Sequence, residues 1–592
     1  MTAVPTLLAL VAALALAGCL GQAQPHAPAS WAEIAALDPT TYATPPPCGR
    51  RALAADGTCG DPLTAFAQGG RTYVVDGRTG RDDAPGTPDR PWRTIGRAAQ
   101  PGALQPGDAV VVRAGIYREA VRPQSGGVPG RPVTYAAYPG ERVVISGADP
   151  APDGWERVGE AWRRAWALPP MEAYSDDPVF RRELVVAGGA VLRPVARRAD
   201  LAPGTAWVEG PDTAPRAVWV RLADGQTPAK AGVEIASRDV LLGPLGPDPY
   251  VECADASQPG YLRYVGFELR HAANRAQVGA LCAGRAGSVV EDVTVVWTNG
   301  VGVDASGDGH AFRRVRADHH GQLGWMGHGR GVTIEDGTAV GNNWKGYDPF
   351  WEAGGGKWDR SSELVLRRHT AAWNDGPGIW LDGGNDRVTI EDSRAASNAV
   401  AGIFLELDTR RTLVQRNVVT GTRWRAWSGS GLLSQAASHN VIVHNTFAGN
   451  EGIGVWLRLD AARRAPDGWT TVAGNVIVGN ARAPEVEARE IAVETASPER
   501  LRTHRLDANV YGRLDARDPT MRSAFFAYAP ASAREPSLEV RTDALAEWRR
   551  ATGFDRRSVQ DAVGARRAWP DLSGQALPPA GATRAPLRRA PD

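Results

Sequence analysis

From about residue 260 the chain repeats one short pattern, an apolar, β-branched run that closes on polar residues. It occurs as Val290-Glu291-Asp292, Phe312-Arg313-Arg314, Ile334-Glu335-Asp336, Leu366-Arg367-Arg368, Ile390-Glu391-Asp392, Gln415-Arg416-Asn417, Val443-His444-Asn445 and Ala473-Gly474-Asn475. With Glu291, Arg313, Glu335, Arg367, Glu391, Arg416, His444 and Gly474 as markers, the spacings are 22, 22, 32, 24, 25, 28 and 30 residues. Periods of this size mean stacked supersecondary units. The units carry no 3.6-residue apolar stripe, which disfavours helical repeats, and no fixed leucine ladder, which disfavours leucine-rich repeats. Asn342, Asn374 and Asn398 each follow a marker by seven residues. Asparagine tolerates the left-handed conformation of a sharp bend, and stacked amides can bond along a solenoid. A second strand recurs at Gly378–Asp382, Gly402–Glu406 and Gly431–Gln435. Two to three short strands per turn of about 22–25 residues predict an all-β chain, a right-handed parallel β-helix.

The same period aligns side chains that can carry chemistry. His328, Asp382 and Glu406 each lie fifteen residues after a marker, and Asp304 and Gln435 hold similar second-strand positions. Equivalent positions of successive coils stack at ~4.8 Å, so these residues should share one face. The longest spacing holds an insertion within residues 343–362, with Glu352 and Lys357, and this falls between the coils of His328 and Asp382. Its three consecutive glycines, Gly354 to Gly356, suggest a sharp bend or close approach to a ligand. Two carboxylates ~5 Å apart would share a proton, bind a cation, or act as acid and nucleophile. The plainer alternative is a salt-bridged ladder paired to arginine on a solvated face. His319 and His320 have a weaker case, and His310, His369, His439 and His444 show no metal-ligand spacing.

Composition sharpens two points. A formal net charge of +1 over 592 residues lacks the basic excess of a nucleic-acid binder. Only three of the 67 basic residues are lysine, and two of them, Lys345 and Lys357, sit in the insertion. Ten of the 20 tryptophans fall between Trp297 and Trp456, five of them within residues 344–380. Indoles beside polar groups suit stacking on sugar rings, so Trp351, Trp358 and Trp380, with Lys345, are candidate substrate contacts.

The N-terminus sets the expected compartment. An apolar run from Thr6 to Ala17, too short to span a bilayer comfortably, ends in Leu16-Ala17-Gly18-Cys19. This resembles the lipobox of bacterial lipoprotein signal peptides, although Met1 to Thr6 carry no Lys or Arg. The resemblance implies cleavage after residue 18, lipidation of Cys19 and membrane attachment. Leu20, where inner-membrane retention would use aspartate, implies sorting to the outer membrane. Cys48, Cys59, Cys253 and Cys282 remain, an even set for an oxidising compartment, and 48–59 with 253–282 is the most local of three pairings. No later stretch is apolar enough to span a membrane, and residues 19–70, rich in Ala, Pro and Thr, read as a tether.

Upstream of the repeats, Tyr73-Val74-Val75-Asp76-Gly77, Pro91-Trp92-Arg93-Thr94-Ile95, Gln105-Pro106-Gly107-Asp108, Ala114–Glu119 and Ala137–Glu141 resemble the right-handed parallel β-helix family of secreted carbohydrate-active proteins. So do Leu545–Trp548, Thr552–Asp555 and Ser558 near the end. The resemblance implies an N-terminal cap and first coils over residues 71–150. Residues 151–243 look like the inserted β-rich subdomain of some members. The β-helix proper is expected over 244–481, and a C-terminal cap with a disordered tail over 482–592. The string Trp351-Glu352-Ala353-Gly354-Gly355-x-Lys357 resembles a pattern in largely uncharacterised β-helix proteins. In polysaccharide lyases of this fold acidic residues hold calcium and a lysine is the base. Glu352 and Lys357 resemble that arrangement, with Asp382 where one such group has an acid arginine. The leading expectation is therefore a monomeric enzyme that cleaves a uronic-acid polymer by β-elimination. Lys357 would act with a burial-lowered pKa near ~7–8, and Glu352, Asp382 and Glu406 would be calcium ligands. The alternatives are a glycoside hydrolase using Asp382 and Glu406, with Glu352 in support, and a non-catalytic glycan-binding surface lipoprotein.

Overall fold

The structure, a computed structural model, describes residues 36–42, 52–53, 59–61 and 63–560, except 167–181, 212–213, 245–252, 254, 256, 461–467, 482–489 and 513–523. The expected leader, Cys19 and Cys48 lie outside the described residues.

Three strands per coil build three sheets. Among the described residues the first has 13 strands from Thr72–Val75 to Arg505–Asp507, and the second 13 from Gly115–Tyr117 to Val559–Gln560. The third has 11, from Gly279–Cys282 to Leu538–Thr542. Strands within each sheet pair in parallel with the next coil, as in Thr333↔Val365, Thr338↔Thr370 and Ile379↔Ile403. Inward positions, among them Ile334, Leu366, Ile390, Val414 and Ile442, stack into one continuous core. Each coil alone could not bury that apolar face, so the core forms only by stacking.

The polar pairs end the strands of the first sheet and bend the chain. Glu291, Arg313, Glu335, Arg367 and Glu391 are register partners, and Arg367 bridges Glu335 at 2.8 Å and Glu391 at 2.7 Å. The next residue takes the left-handed conformation, as at Asp336, Arg368, Asp392 and Arg416, and Arg368–Asp336 and Arg416–Asp392 bridge there too. A salt-bridged ladder of the kind anticipated as the plainer alternative for the Asp382 face therefore runs along this turn. Beyond Glu391 the true partners are Gln415, Val443 and Ala473, one residue before Arg416, His444 and Gly474. The later polar residues sit at the left-handed bend itself, which is why polarity marks that position.

Asparagine ladders run through the turns. Asn342 donates to Asn374 at 2.8 Å, and Asn374 to Asn398 at 2.7 Å. The left-handed residues are their neighbours Asn343, Trp373 and Ser397, so the asparagines bond along the stack rather than relieve the bend.

Between residues 148 and 236 the described strands leave the coils as sheets of five and four, antiparallel except where Arg193–Pro194 runs parallel to Thr205–Glu209. The coils continue past residue 481. Ile491–Glu494, Arg505–Asp507 and Val510–Gly512 extend the three sheets, although lengthening spacings hide the period. Antiparallel Leu538–Thr542 and the helix Leu545–Thr552 then close the stack, with Trp548 fully buried. Within the expected tether, Leu37 packs against the cluster of Val340, Ala372 and Ala396, as Trp373 does. Cys253 and Cys282 form a disulfide with a Cα–Cα distance of 5.3 Å, and Cys59 is also disulfide-bonded. Among the described residues no helix is long and apolar enough to cross a membrane.

Candidate active site on the third sheet

Strand alternation decides which side chains leave the core. In Gly354–Ser362, Trp358 points inward, while Lys357 and Asp359 point out. The register then stacks Asp304, Met326, Lys357, Trp380, Phe404, Leu433 and Trp456 in one outer row. Two residues further along each strand, Asp359 pairs with Asp382, Glu406 with Gln435, and Gln435 with Arg458. Asp382 and Glu406 each follow the paired residues Leu381 and Leu405, so they adjoin in one row.

Lys357 is the centre of the site. Its Nζ lies 2.8 Å from Asp382 Oδ2 and 3.3 Å from Glu352 Oε1, and it donates to the Trp351 carbonyl at 3.2 Å. It also sits 4.3 Å from the Trp380 ring centroid. Side-chain exposure is 11% for Lys357, 17% for Asp382 and 27% for Glu352, so the contacts are shielded yet reachable. Asp382 Oδ1 is buried without a hydrogen-bond partner among the described residues. Leaving a buried acceptor unmet costs about 1–3 kcal/mol, which a substrate hydroxyl or water would recover.

Electrostatics reverses one expectation. Burial pulls the Lys357 ammonium downward, but the Asp382 and Glu352 carboxylates outweigh it and leave its pKa above the ordinary lysine value. Lys357 is therefore held protonated, and a pKa near neutrality is not found. Glu352 moves up from the usual carboxylate range because burial outweighs the attraction of Lys357.

The other expected residues distribute as follows. Glu406 is buried and accepts from Trp380 Nε1 at 3.1 Å, which puts it beneath the patch. His328 holds the row two strands below Asp382, at a register irregularity, with Nδ1 3.2 Å from Ser306 Oγ. Trp358 is 1% exposed in the core, and Trp380 is 2% exposed, stacked on Phe404 at 5.4 Å. Neither offers a sugar platform, because one points inward and the other is covered. Trp351 is half-buried against Tyr347, and its carbonyl is what meets Lys357. Lys345 bonds Asn299 in the turn between the second and third sheets, away from Lys357. The triple glycine begins a strand. A Cβ on Gly355 would lie 2.3 Å from Gly378 O, so close coil packing requires it.

Calcium does not fit these residues as they stand. The cation would need six to eight oxygens, whereas Glu352 and Asp382 converge on an ammonium and Glu406 on an indole. Among the described residues no group of three His, Cys, Asp or Glu side chains could hold a metal. Sequence reasoning misses Asp359, which pairs with Asp382 in register and with Arg360 at 2.8 Å, although its place two residues after Lys357 marks it.

Residues 278–424 match the family described as "Right handed beta helix region". Over 87 residues the chain is 34% identical to the uncharacterized protein YwoF of Bacillus subtilis (strain 168). That stretch is 15% of this chain, and the chain spans only 18% of that relative's length. Among solved structures, the complex of XylC with xylose superposes with a TM-score of 0.56 at 17% identity, covering 74% of this chain and 83% of that one. The A-module of mannuronan C-5 epimerase AlgE6 from Azotobacter vinelandii gives 0.37 at 13% identity over 76% and 90% of the two chains. GH136 lacto-N-biosidase from Eubacterium ramulus gives 0.36 at 12% over 83% and 68%. The central coils are thus a right handed beta helix region, and the chain is in fold a right-handed parallel β-helix.

Proposed function

We propose that this chain is an exported, glycan-active β-helix enzyme that cleaves a glycosidic bond with Glu352 and Asp382. The observation that carries this reading is the single ammonium of Lys357 shared by Asp382 Oδ2 at 2.8 Å and Glu352 Oε1 at 3.3 Å. Glu352, with its pKa raised by burial, is the acid that protonates the leaving oxygen. Asp382, 17% exposed and held by Lys357 through Oδ2, is the carboxylate that attacks the sugar carbon. Water then displaces the sugar from Asp382, with Glu352 taking its proton. The two carboxylate oxygens on Lys357 are no further apart than the sum of their distances to it. Retaining pairs stand about 5–5.5 Å apart, so the anomeric configuration is expected to be kept. The complex of XylC with xylose, similar in fold, supports a sugar ligand. The Leu16–Cys19 string supports export with a lipid on Cys19, and the Cys253–Cys282 disulfide supports an oxidising compartment.

The β-elimination reading keeps one observation in its favour. A substrate carboxylate that displaced Glu352 from Lys357 would be neutralised there, which lowers the cost of removing the adjacent proton. Lys357 itself would serve as neutraliser, because its carboxylates hold it protonated.

The test is a panel of polysaccharides with and without chelator, read by new reducing ends and by unsaturated product. Saturated products, lost by about 100-fold or more in both Asp382→Asn and Glu352→Gln, are expected. Unsaturated product, or full activity in Asp382→Asn, would overturn the hydrolytic reading. A chelator that abolishes activity would restore the calcium expectation.

A further inference from the structure

The row that carries Asp382 does not end at the proposed catalytic pair. It continues through Glu406 and Gln435 to Arg458, three strand spacings away, or about 14 Å. Most arginines of the coils meet a carboxylate, as Arg314, Arg367, Arg368 and Arg416 do. Arg458 does not. Its guanidinium lies 4.3 Å from the Trp427 ring centroid and 5.2 Å from that of Trp456. Those indoles meet edge to face at 6.0 Å, and Trp456 Nε1 is fixed by Glu494 at 3.1 Å. Arg458 Nη1 donates to Gln435 Oε1 at 2.5 Å, while Gln435 Nε2 donates to Asp460 Oδ2 at 3.2 Å. Asp460 is therefore engaged through the amide, and among the described residues Arg458 forms no ion pair.

The aromatic clamp fixes the cation's plane and shields it from water, which strengthens its attraction for an anion at the free edge. A planar guanidinium recognises carboxylate, sulfate or phosphate through paired N–H donors. The loop that carries Glu352 reaches the same place, since Phe350 stacks on Trp427 at 5.0 Å and 21°. One loop therefore walls both the carboxylate pair and the cation.

From this juxtaposition we infer that Arg458, with Trp427 and Trp456, is a subsite for the anionic substituent of an acidic glycan, bound about 14 Å from the cleavage point. The inference deepens the proposed function and rests on it for the position of cleavage. It names the substrate class as a charged heteropolysaccharide: an uncharged residue beside the acidic Asp382–Glu352 pair, and a charged one at Arg458.

Calorimetric titration of the full chain with galacturonan, sulfated galactan and neutral xylan oligosaccharides tests it, using wild type, Arg458→Met, Arg458→Lys and Asp382→Asn. Wild type is expected to prefer one anionic probe over the neutral one by about tenfold or more, with a preference that weakens as salt rises. Arg458→Met should erase that preference and Arg458→Lys should restore part of it, while circular dichroism confirms the fold of each. Preference for the galacturonan or the sulfated oligomer identifies the anion. Equal affinity for all three probes, or an anionic preference that survives Arg458→Met, would overturn the subsite. Asp382→Asn separates the two ideas: it should lose cleavage yet keep a preference for an anionic probe that Arg458→Met removes. If no glycan is cleaved but binding depends on Arg458, the subsite stands and the catalytic reading falls. If cleavage needs Asp382 but ignores substrate charge, the catalytic reading stands and the subsite falls.

Discussion

Lys357 shows how neighbours set a side chain's chemistry. Its raised pKa means the contribution of the pair is fully present below the ordinary lysine value and is lost as pH rises through the folded one. Lys357→Met is therefore expected to cost about 1–3 kcal/mol at neutral pH, because two shielded carboxylates lose their partner. The deficit should shrink in acid, where Glu352 is protonated, and in strong alkali, where wild-type Lys357 is neutral. Urea unfolding across pH checks this. His369 behaves in the opposite sense. It is fully buried near Trp325 and Trp358, both ring nitrogens lack hydrogen-bond partners among the described residues, and burial pushes its pKa down to about 4. The unfolded chain binds the proton first, so this group removes stability as pH falls from about 6.5 towards 4. His369→Leu should match or exceed wild-type stability at pH 7 and lose less of it at pH 4.5, read by thermal melts.

At the scale of elements, the turn ladders hold the coils in register. Asn374 accepts from Asn342 N at 3.0 Å and donates to Ala339 O at 2.9 Å and Asn398 Oδ1 at 2.7 Å. Asn374→Ala leaves buried groups unmet on the coils to either side and is expected to cost about 2–4 kcal/mol by denaturant unfolding. Register loss there would also reach the site, because Gly355 packs against the Asn374 amide beneath the Lys357 strand. The insertion loop has its own anchor. Trp344 packs with Leu184, Val186 and Val191 of the inserted subdomain and bonds the His319 carbonyl at 3.0 Å. The strands around Leu184 and Val191 therefore brace the start of the loop that carries Glu352.

For the whole molecule the open end of the stack is the vulnerable point, since unpaired strand edges template association. Trp548 is fully buried in the cap against Phe525 and Phe554, and its Nε1 donates to Asp555 Oδ2 at 2.9 Å. Asp555 in turn accepts from Asn509 and Tyr511. Asn509 ends a second asparagine ladder that runs from Asn417 through Asn445 and Asn475 in the turn after the first sheet. Trp548→Ala is expected to cost about 3–5 kcal/mol and to raise light scattering on mild heating, as the final coil is exposed.

Much of this was legible in the chain. The period of apolar runs specified a β-helix, because a coil with one buried face has no stable alternative to stacking. The shared offset of Asp382 and Glu406 placed both on the third sheet, because register converts equal spacing into adjacency. The long coil gave the insertion. What the tertiary structure decided were matters of side and partner. Strand alternation turned Trp358 inward and Lys357 out, and neighbouring coils covered Trp380. Glu406 went to an indole, and Asp382 with Glu352 went to Lys357, whose protonation depends on a balance of burial and charge that no spacing encodes. Local order along the chain sets which coil a residue occupies; what faces it across the groove is fixed only when loops far apart in sequence close over the same sheet.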